Sequence, residues 1–374
     1  MILGVSAEQE ELRTSVRRFL ADRAPLSRVR ALMDGGETDW AVWEQAGSQL
    51  GLQGLAIPEA YGGAGFSFAE QAVVLEEFGA ALYGGPYLAS AVLAATALLA
   101  SPDEGARRGL LPDIASGQTV ATLAFTEDGG SWDPAAIRLS AVKDGPGVNE
   151  AWQLDGHKSF VLDGATAGLI LVVATTDAGL SLFAVEGDAA GLGRAALPAL
   201  DQTRQLARLE FAGVTGRLIG SPGDGAAALD RALDVAAVAL AAEQLGGAQR
   251  ALDMAVEYAK VRRQFDRPIG SFQAIKHRCA DLLLEVESLR SAVGYAAAAV
   301  AEDSAEIPVL ASLVKAYASE TYFHVAAENI QIHGGIGFTW EHDAHLYFKR
   351  AKASELFLGD GAYHRERLAN RIGL

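Results

Sequence analysis

Three arginines lie around a proline in residues 258–273, and their chemistry suits a phosphate group. Arg262, Arg263 and Arg267 carry planar, permanently charged guanidinium groups that can bind a phosphate or pyrophosphate through parallel hydrogen bonds. Pro268 cannot continue a helix and disfavours helix in the residue before it, so the pattern predicts a helix end followed by a tight loop. The arginines could instead only stabilise the negative end of the preceding helix dipole, and the residue types leave both interpretations open.

A second candidate segment is the glycine-rich stretch that follows Gln331. It reads Gln-Ile-His-Gly-Gly-Ile-Gly, with glycines at positions 334, 335 and 337. A glycine can end a helix in a left-handed conformation, or it can let a ligand approach the backbone closely. A helix cap explains one glycine but explains Gly337 less readily, so the segment is a candidate for ligand contact.

These segments resemble signatures of the acyl-CoA dehydrogenase family. The family pattern Tyr-Ala-x-x-Arg-x-Gln-Phe-Gly-x-Pro-Ile-x-x-Phe-Gln is present over residues 258–273 with one change, Asp266 in place of the first glycine. The pattern Gln-x-x-Gly-Gly-x-Gly is intact over residues 331–337. A third pattern, Gly-Leu-x-Gly-Leu-x-x-Pro-Glu-x-Tyr-Gly-Gly-x-Gly, is intact over residues 51–65. The three occur in the family's order over nearly the full length.

The resemblance implies a flavoprotein with FAD at a subunit interface, where two chains build each pocket. One chain contacts the adenine and diphosphate end, and the positions matching that role here are Arg262, Gln264, Phe265, Ile269, Gln273, Gln331, Gly334 and Gly335. The other chain covers the flavin ring, and the matching positions are Thr126 and Phe160. The implied reaction is α,β-desaturation of an acyl-CoA: a glutamate removes the α-proton while hydride passes to FAD, which later reduces an electron-transfer acceptor.

The positions expected near the flavin ring and the catalytic base depart from the family pattern. The segment Thr-Glu-Pro-x-Ala-Gly-Ser-Asp becomes residues 126–133, in which the serine is displaced or replaced, and Leu162 stands where the family has a hydroxyl. The family's two alternative positions for the glutamate align with Leu358 and Ala236, and neither side chain can accept a proton. The catalytic base therefore stays unassigned. Nearby carboxylates that could replace it are Glu243, Glu355 and Asp360.

Because contacts to a neighbour's flavin are kept and contacts to the chain's own flavin are eroded, a heteromeric enzyme is the favoured hypothesis. This chain would be the non-catalytic-type subunit of a bacterial acyl-CoA dehydrogenase tetramer, whose unlike partner supplies the glutamate. Such enzymes occur in this family in steroid breakdown, which would imply bulky substrates. The alternatives are a self-sufficient homotetramer with an atypical base, a flavin monooxygenase or oxidase on the same fold, and a scaffold without chemistry.

The elements that must position these residues follow from hydrophobic periodicity. Helical spacing predicts helices over Ala7 to Arg23, Trp40 to Leu50, Phe68 to Leu82, Leu88 to Leu99 and Glu104 to Ser116. Short apolar runs between glycine and aspartate turns then predict antiparallel strands in a small barrel or sandwich. From Gly225 the helical period returns. The predicted fold is α+β, as in the resembled family: a helical domain over residues 1–117, an antiparallel β domain over 118–222 and a four-helix bundle over 223–374.

Composition limits the environment and the partners. The 374 residues are 50% hydrophobic, which is enough for two or three domains with a large core. A formal charge of −16 argues against nucleic acid or an anionic membrane surface, so an anionic cofactor must meet local basic residues. The single Cys279 precludes an internal disulfide and suits a reducing cytoplasm. We expect a cytoplasmic protein, since we find no signal leader and no membrane-spanning run.

A metal site is not expected. His342 and His345 have the spacing of a partial metal-binding pair. His324 and His333 do not complete a recognised zinc pattern with them. Histidines on a surface or in a pocket are therefore the favoured interpretation, and no Rossmann fingerprint, Walker loop or nucleophile elbow accompanies them.

Overall fold

The computed structural model describes residues 6–35, 38–144 and 151–374, which fall into two compact units. The first unit consists of Met1–Asp34, Phe68–Tyr83 and Ala237–Leu374. The second consists of Gly35–Ser67 and Gly84–Ala236. Each unit is thus assembled from segments that are distant in the sequence.

The amino-terminal part of the chain is helical, as the periodicity predicts. Its helices are α1 (Ala7–Arg23), α2 (Leu26–Gly35), α3 (Trp40–Leu50), α4 (Phe68–Ala81), α5 (Ala95–Ala100), which continues a π-helical segment (Leu88–Ala94), and α6 (Glu104–Ala115). Ser6 caps α1 in a capping box with Gln9, and aspartates cap α3 and α6. Only α2 lacks a counterpart among the predicted helices.

The middle of the chain forms a seven-stranded sheet. Its strands are β1 (Ala121–Ala124), β2 (Ser140–Lys143), β3 (Ala151–Leu162), β4 (Leu169–Thr176), β5 (Gly179–Glu186), β6 (Leu192–Leu197) and β7 (Leu206–Ile219). Most neighbours are antiparallel, as predicted, and the pairing of β5 with both β7 and β4 closes the sheet into a small barrel. Two pairings depart from this: β2 meets β4 in parallel at Ser140 and Thr175, and β1 pairs with β4 in parallel, with Ala121 opposite Leu169. Residues 125–168 separate these two strands, which is long enough for a crossover connection.

From Gly225 the chain is helical again. The helices are α7 (Gly225–Val261), α8 (Gln273–Ala301), α9 (Ile307–His333), α10 (Ala344–Leu356) and α11 (Gly361–Arg371). Glycines let α4 and α7 pack backbone to backbone: a Cβ at Gly79 would lie 1.8 Å from the carbonyl oxygen of Glu243. Across the described ranges, no helix combines the length and apolar character that a membrane crossing requires.

Candidate functional site

The arginine-bearing stretch is a tight hairpin between α7 and α8, as the sequence predicts. Two short strands, β8 (Arg263–Gln264) and β9 (Arg267–Pro268), pair antiparallel directly after α7 ends. The backbone N–H of Arg262 still donates to the Tyr258 carbonyl, and the Arg262 carbonyl accepts from the Ile269 N–H at 2.8 Å. Backbone hydrogen bonds therefore fix both ends of this segment, residues 262–269, which we call the arginine turn.

The tip of the arginine turn is strained and exposed. Phe265 and Asp266 have φ angles of 50° and 62°, the two positive values of a type I′ hairpin turn. Aspartate tolerates this left-handed conformation better than most residues, which explains how Asp266 can replace the family's glycine. Phe265 is 87% exposed and meets only the edge of Phe272, at 6.2 Å between ring centroids. A bulky aromatic residue held in a strained, exposed position suggests contact with another molecule.

A small apolar core joins the arginine turn to the end of α9. Ala255, Ala259 and Ile332 are buried together, and Ile269 packs against them. The ring of Tyr258 stacks on a histidine ring of α9, with 4.3 Å between centroids. The structure therefore brings residues 258–273 and 331–337 together, and the packing of Ile269 accounts for that residue without a ligand.

The glycines after α9 divide into two kinds. Gly334 caps α9 with φ 64° and ψ −143°, and a Cβ built on Gly334 or Gly335 would meet no described atom within 4 Å. At Gly337 a Cβ would lie 2.9 Å from the Cβ of His333 and 3.1 Å from the Ile330 carbonyl oxygen. Packing thus requires Gly337, contrary to the expectation that it needs a ligand, whereas Gly334 and Gly335 leave their backbone open.

The polar side chains around this open backbone have little bonding within the chain. Arg262, Gln273 and Gln331 are exposed, and their side chains make no hydrogen bond or ion pair with any described residue. The amide of Gln264 donates only to the carbonyl of Arg263, at 3.0 Å. The fold does not use these groups, so they are available to bind an anion.

The predicted ring-covering positions lie in the sheet and have partners there. Thr126 is 3% exposed, and its hydroxyl donates to the Ser159 carbonyl at 2.5 Å. Phe160 is half-buried, with φ 57°, where the pairing of β3 with β7 shifts register. Such bulges often re-aim a side chain beside a functional site. Leu162 is buried in the core and offers no hydroxyl.

A buried ion pair holds residues 126–128, which we call the threonine loop. Lys158 is fully buried and donates to the Glu127 carboxylate and to the Phe125 carbonyl, both at 3.0 Å. Burial lowers the pKa of Lys158 to about 8. Glu127 also accepts two backbone N–H groups at 2.8 Å. No local sequence pattern predicts this pair, because Glu127 and Lys158 lie on separate segments that the folded sheet brings together.

Asp128, at the family's proline position, fastens the threonine loop further. Its carboxylate accepts from Arg208 at 3.1 Å and from the Ser159 hydroxyl, and His157 lies 3.2 Å away. The Arg208 hydrogen bond, with that of Ser159, lowers the pKa of Asp128 to about 2. Every polar side chain of the threonine loop therefore has a partner within the sheet.

The carboxylates considered as a replacement base have structural roles. Glu243 is 7% exposed and accepts from Arg350, itself 2% exposed, at 2.6 Å. Glu355 pairs with Lys352 at 2.9 Å on the same helix. Asp360 caps α11 by accepting a backbone N–H at 2.8 Å. Each carboxylate is engaged in holding the helical unit together.

The two positions that the family uses for its glutamate are buried and apolar. Ala236 and Leu358 are 0% and 4% exposed. Leu358 has φ 62°, and its carbonyl accepts from His364 Nε2 at 3.0 Å. Buried Lys315 holds the neighbouring backbone by donating to the Gly359 carbonyl at 2.9 Å. The loop is therefore well ordered but carries no proton acceptor at this position.

The chain combines helical segments, a small barrel and an open glycine backbone beside an arginine turn. Family models named acyl-CoA dehydrogenase N-terminal, middle and C-terminal domain match residues 6–118, 122–214 and 223–373. The chain belongs to the acyl-CoA dehydrogenase family, which confirms the resemblance and the predicted fold class. It is an FAD-dependent oxidoreductase acting on CH–CH bonds.

Relatives of known name cover nearly the whole chain. Acyl-CoA dehydrogenase IpdE2 of Mycobacterium tuberculosis (strain ATCC 25618 / H37Rv) is 37% identical over 94% of this chain and 93% of its own length. Among solved structures, a variant of the Tcur3481-Tcur3483 steroid ACAD is 34% identical, with TM-score 0.89 and 99% of both chains covered. The ChsE4-ChsE5 complex from Mycobacterium tuberculosis is 30% identical, with TM-score 0.89 and 100% and 99% coverage.

The residues present fit one end of FAD better than the other. Open backbone at Gly334 and Gly335 and the uncommitted guanidinium of Arg262 suit a diphosphate, which binds to backbone N–H groups and positive charge. At the ring end, the hydroxyl of Thr126 is already donated within the sheet and Leu162 has none to donate. Only Phe160 keeps an aromatic surface there.

Proposed function

We propose that this chain is one subunit of an acyl-CoA dehydrogenase built from two unlike chains. It contributes the adenine and diphosphate half of an FAD site, and its partner supplies the catalytic glutamate. The observation that carries the proposal is the strained arginine turn, whose Phe265 is 87% exposed. The absence of a proton acceptor at Leu358 and Ala236 explains why a partner is needed.

Each residue of the proposed half-site has a defined task. Arg262 balances diphosphate charge, and the backbone N–H of Gly335 donates to a phosphate oxygen, while the Gly334 N–H closes the end of α9 by donating to the carbonyls of Ile330 and Gln331. Phe265 offers a flat apolar surface, and Ile269 anchors the arginine turn in the core beneath it. The amides that complete the half-site are Gln264, Gln273 and Gln331. FAD, when bound, accepts the hydride that leaves the β-carbon of the acyl-CoA.

At the ring end the chain retains less. Phe160 keeps the aromatic surface that a flavin ring needs, and Thr126 keeps its place in the sheet. Because Leu162 cannot donate a hydrogen bond, we propose that a flavin ring covered by this chain does not accept hydride from the acyl-CoA. The productive ring site lies in the partner subunit.

Relatives with unlike chains support this assembly and suggest a substrate class. The Tcur3481-Tcur3483 protein is a steroid ACAD, and ChsE4-ChsE5 is a complex of two differently named chains. By similarity, we propose a bulky, steroid-derived acyl-CoA as substrate, a tetramer of two chain types, and an electron-transfer protein as acceptor. Cytoplasmic location, expected from the lone Cys279, belongs to the same proposal.

The test is to purify the chain alone and together with each candidate partner chain of the same family. FAD per protomer and acyl-CoA-dependent dye reduction are then measured for each preparation. We expect flavin and turnover only when a glutamate-bearing partner is present. Full flavin occupancy and rapid turnover by the lone chain would overturn the proposal.

A self-sufficient enzyme makes a different prediction for the carboxylates. If Glu355 or Asp360 were the base, Glu355→Gln or Asp360→Asn would lower kcat by orders of magnitude. We expect each variant to retain most of the activity of the assembled enzyme. Glu243→Gln needs a stability measurement alongside, because its partner Arg350 would be left buried and unpaired.

A further inference from the structure

An arginine on α2 holds the segment that follows the glycine pair. Arg30 Nε donates to the Asp343 carboxylate at 2.7 Å, Nη1 to the Trp340 carbonyl at 2.7 Å, and Nη2 to the His342 carbonyl at 2.9 Å. One planar guanidinium thus binds three acceptors of residues 340–343. A lysine could not reproduce this geometry, because its three donors share one nitrogen, whereas the guanidinium spreads its donors over a planar fork.

Contacting rings connect residues 340–343 to the open glycines, with the His342 and His333 rings tilted by 50° to one another. The ring of His342 lies 4.3 Å from the ring of His333, the residue directly before Gly334. His333 in turn stacks at 4.3 Å on Tyr258, in the last turns of the helix that enters the arginine turn. Burial lowers the pKa of both His333 and His342, which favours neutral imidazoles and lets the two rings lie in contact.

Consecutive glycines need such support to present a fixed backbone. Glycine has more conformational freedom than any other residue, and a binding site is effective when its contacts are held in place beforehand. At Gly334 and Gly335 there is no side chain to pack, and the space around a Cβ would be open. The Gly334 N–H is held by the carbonyls of Ile330 and Gln331. For Gly335, further constraint comes from His333 on one side and from the segment that Arg30 holds on the other.

We propose that Arg30 is a positioning residue for the FAD site. By holding residues 340–343 it fixes the ring contacts of His342, His333 and Tyr258, and so the backbone after Gly334 and the direction of the Gly335 N–H group. This inference rests on the proposed assignment of Gly335 to the FAD diphosphate. Arg30 acts through these ring contacts and has no part in the chemistry of the acyl-CoA.

The variants Arg30→Gln and Arg30→Lys test this, with Arg18→Gln as the matched control. Arg18 is an exposed arginine of α1 that makes no hydrogen bond or ion pair with any described residue. FAD is titrated into the deflavinated protein, purified with any partner chain that co-purifies, and the dissociation constant is measured by flavin fluorescence. Amide hydrogen exchange over residues 334–346, urea unfolding, and KM for acyl-CoA at saturating FAD are measured in parallel.

Arg30→Gln should raise the dissociation constant for FAD by about tenfold or more, since charge-assisted hydrogen bonds are lost. Arg30→Lys should recover only part of that loss. Exchange over residues 334–346 should quicken in both variants, while KM at saturating FAD should match the unaltered protein. Arg18→Gln should change none of these quantities.

Two results would overturn the inference, and they differ. If Arg30→Gln lowers the unfolding free energy but leaves FAD affinity and exchange at residues 334–338 unchanged, Arg30 has only a structural role. If the unaltered protein binds no FAD with any partner, the proposed function fails as well. The two cases are told apart by the flavin content of the protein before any substitution.

Discussion

The arginine turn and the threonine loop differ in where their polar groups find partners. Arg262, on the turn, makes no side-chain bond to any described residue, and the neighbouring Phe265 is 87% exposed. Thr126, Glu127 and Asp128, on the loop, are all bonded within the sheet. Residue types that match a family pattern are therefore not enough to identify a group that binds a ligand. The side chain of such a group must also be free of hydrogen bonds and ion pairs to other residues of the chain.

The largest expected effect concerns the loop. Glu127→Gln removes the charge that faces buried Lys158, and an uncompensated buried charge should cost about 3–5 kcal/mol of unfolding free energy. Urea unfolding measures this. Adding Lys158→Met should restore part of the loss, because no buried charge then remains. A single variant as stable as the original would show that the loop is not held as described, and the contrast with the turn would disappear.

A substitution in the arginine turn should have the opposite effect: it should weaken FAD binding and leave the unfolding free energy nearly unchanged. Arg262→Ala should weaken FAD binding to the assembled enzyme by about 1.5–3 kcal/mol, or roughly 10-fold to 150-fold. Its unfolding free energy should change by less than about 0.5 kcal/mol, as for an ordinary surface substitution. Arg18→Ala serves as control and should affect neither quantity. Unchanged FAD affinity in Arg262→Ala would assign the arginine to the helix dipole alone.

Lowering the pH should distinguish the buried His364 from an exposed histidine through the loss of unfolding free energy. Burial, with the nearby charge of Lys315, lowers the pKa of His364 to about 3, so this ring is neutral in the folded protein. The unfolded chain takes up the proton below about pH 6.5, so stability should fall as pH drops from 6.5 towards 3, by about 1.4 kcal/mol per pH unit from this group.

His364→Gln should flatten that slope while keeping a donor for the Leu358 carbonyl. His277→Gln, at an exposed position of α8, is the control and should leave the slope intact. Equal slopes in all three proteins between pH 6.5 and 5 would mean that His364 is not held neutral.

The smallest effect concerns strain at the tip of the turn. Asp266→Gly places the family's usual residue at φ 62° and should stabilise the chain by about 0.5–1 kcal/mol, because glycine adopts this conformation without strain. Thermal unfolding measures the gain, and Asp281→Gly within α8 should instead destabilise by about 0.3 kcal/mol, the difference between the helix propensities of aspartate and glycine. A loss of stability in Asp266→Gly would mean that the aspartate side chain supports the hairpin.

Much of this organisation could be predicted from the sequence because its signals are local. The arginine turn follows from Pro268 and its neighbours, and the end of α9 follows from Gly334. The hydrophobic period located most helices, and the short apolar runs indicated the barrel strands. What the sequence could not supply were pairs formed by distant residues. Arg30 and Asp343 are 313 positions apart, so the sequence around either residue does not predict their contact.

The same limit applies to the catalytic base. Alignment could show that Leu358 and Ala236 lack a carboxylate, but only the structure shows that Glu243 is occupied by Arg350. Packing also explains Gly337, which residue type alone had made a candidate for ligand contact. Burial and bonding decide which groups remain for a ligand, and both depend on the complete fold.

Flavin stoichiometry tests the central claim most directly. FAD is counted per chain in the lone protein and in the complex with its glutamate-bearing partner. A half-site donated across an interface predicts no tightly bound FAD in the lone chain and one FAD for each pair of unlike chains. One FAD in every lone chain, reduced at once by acyl-CoA, would contradict the account.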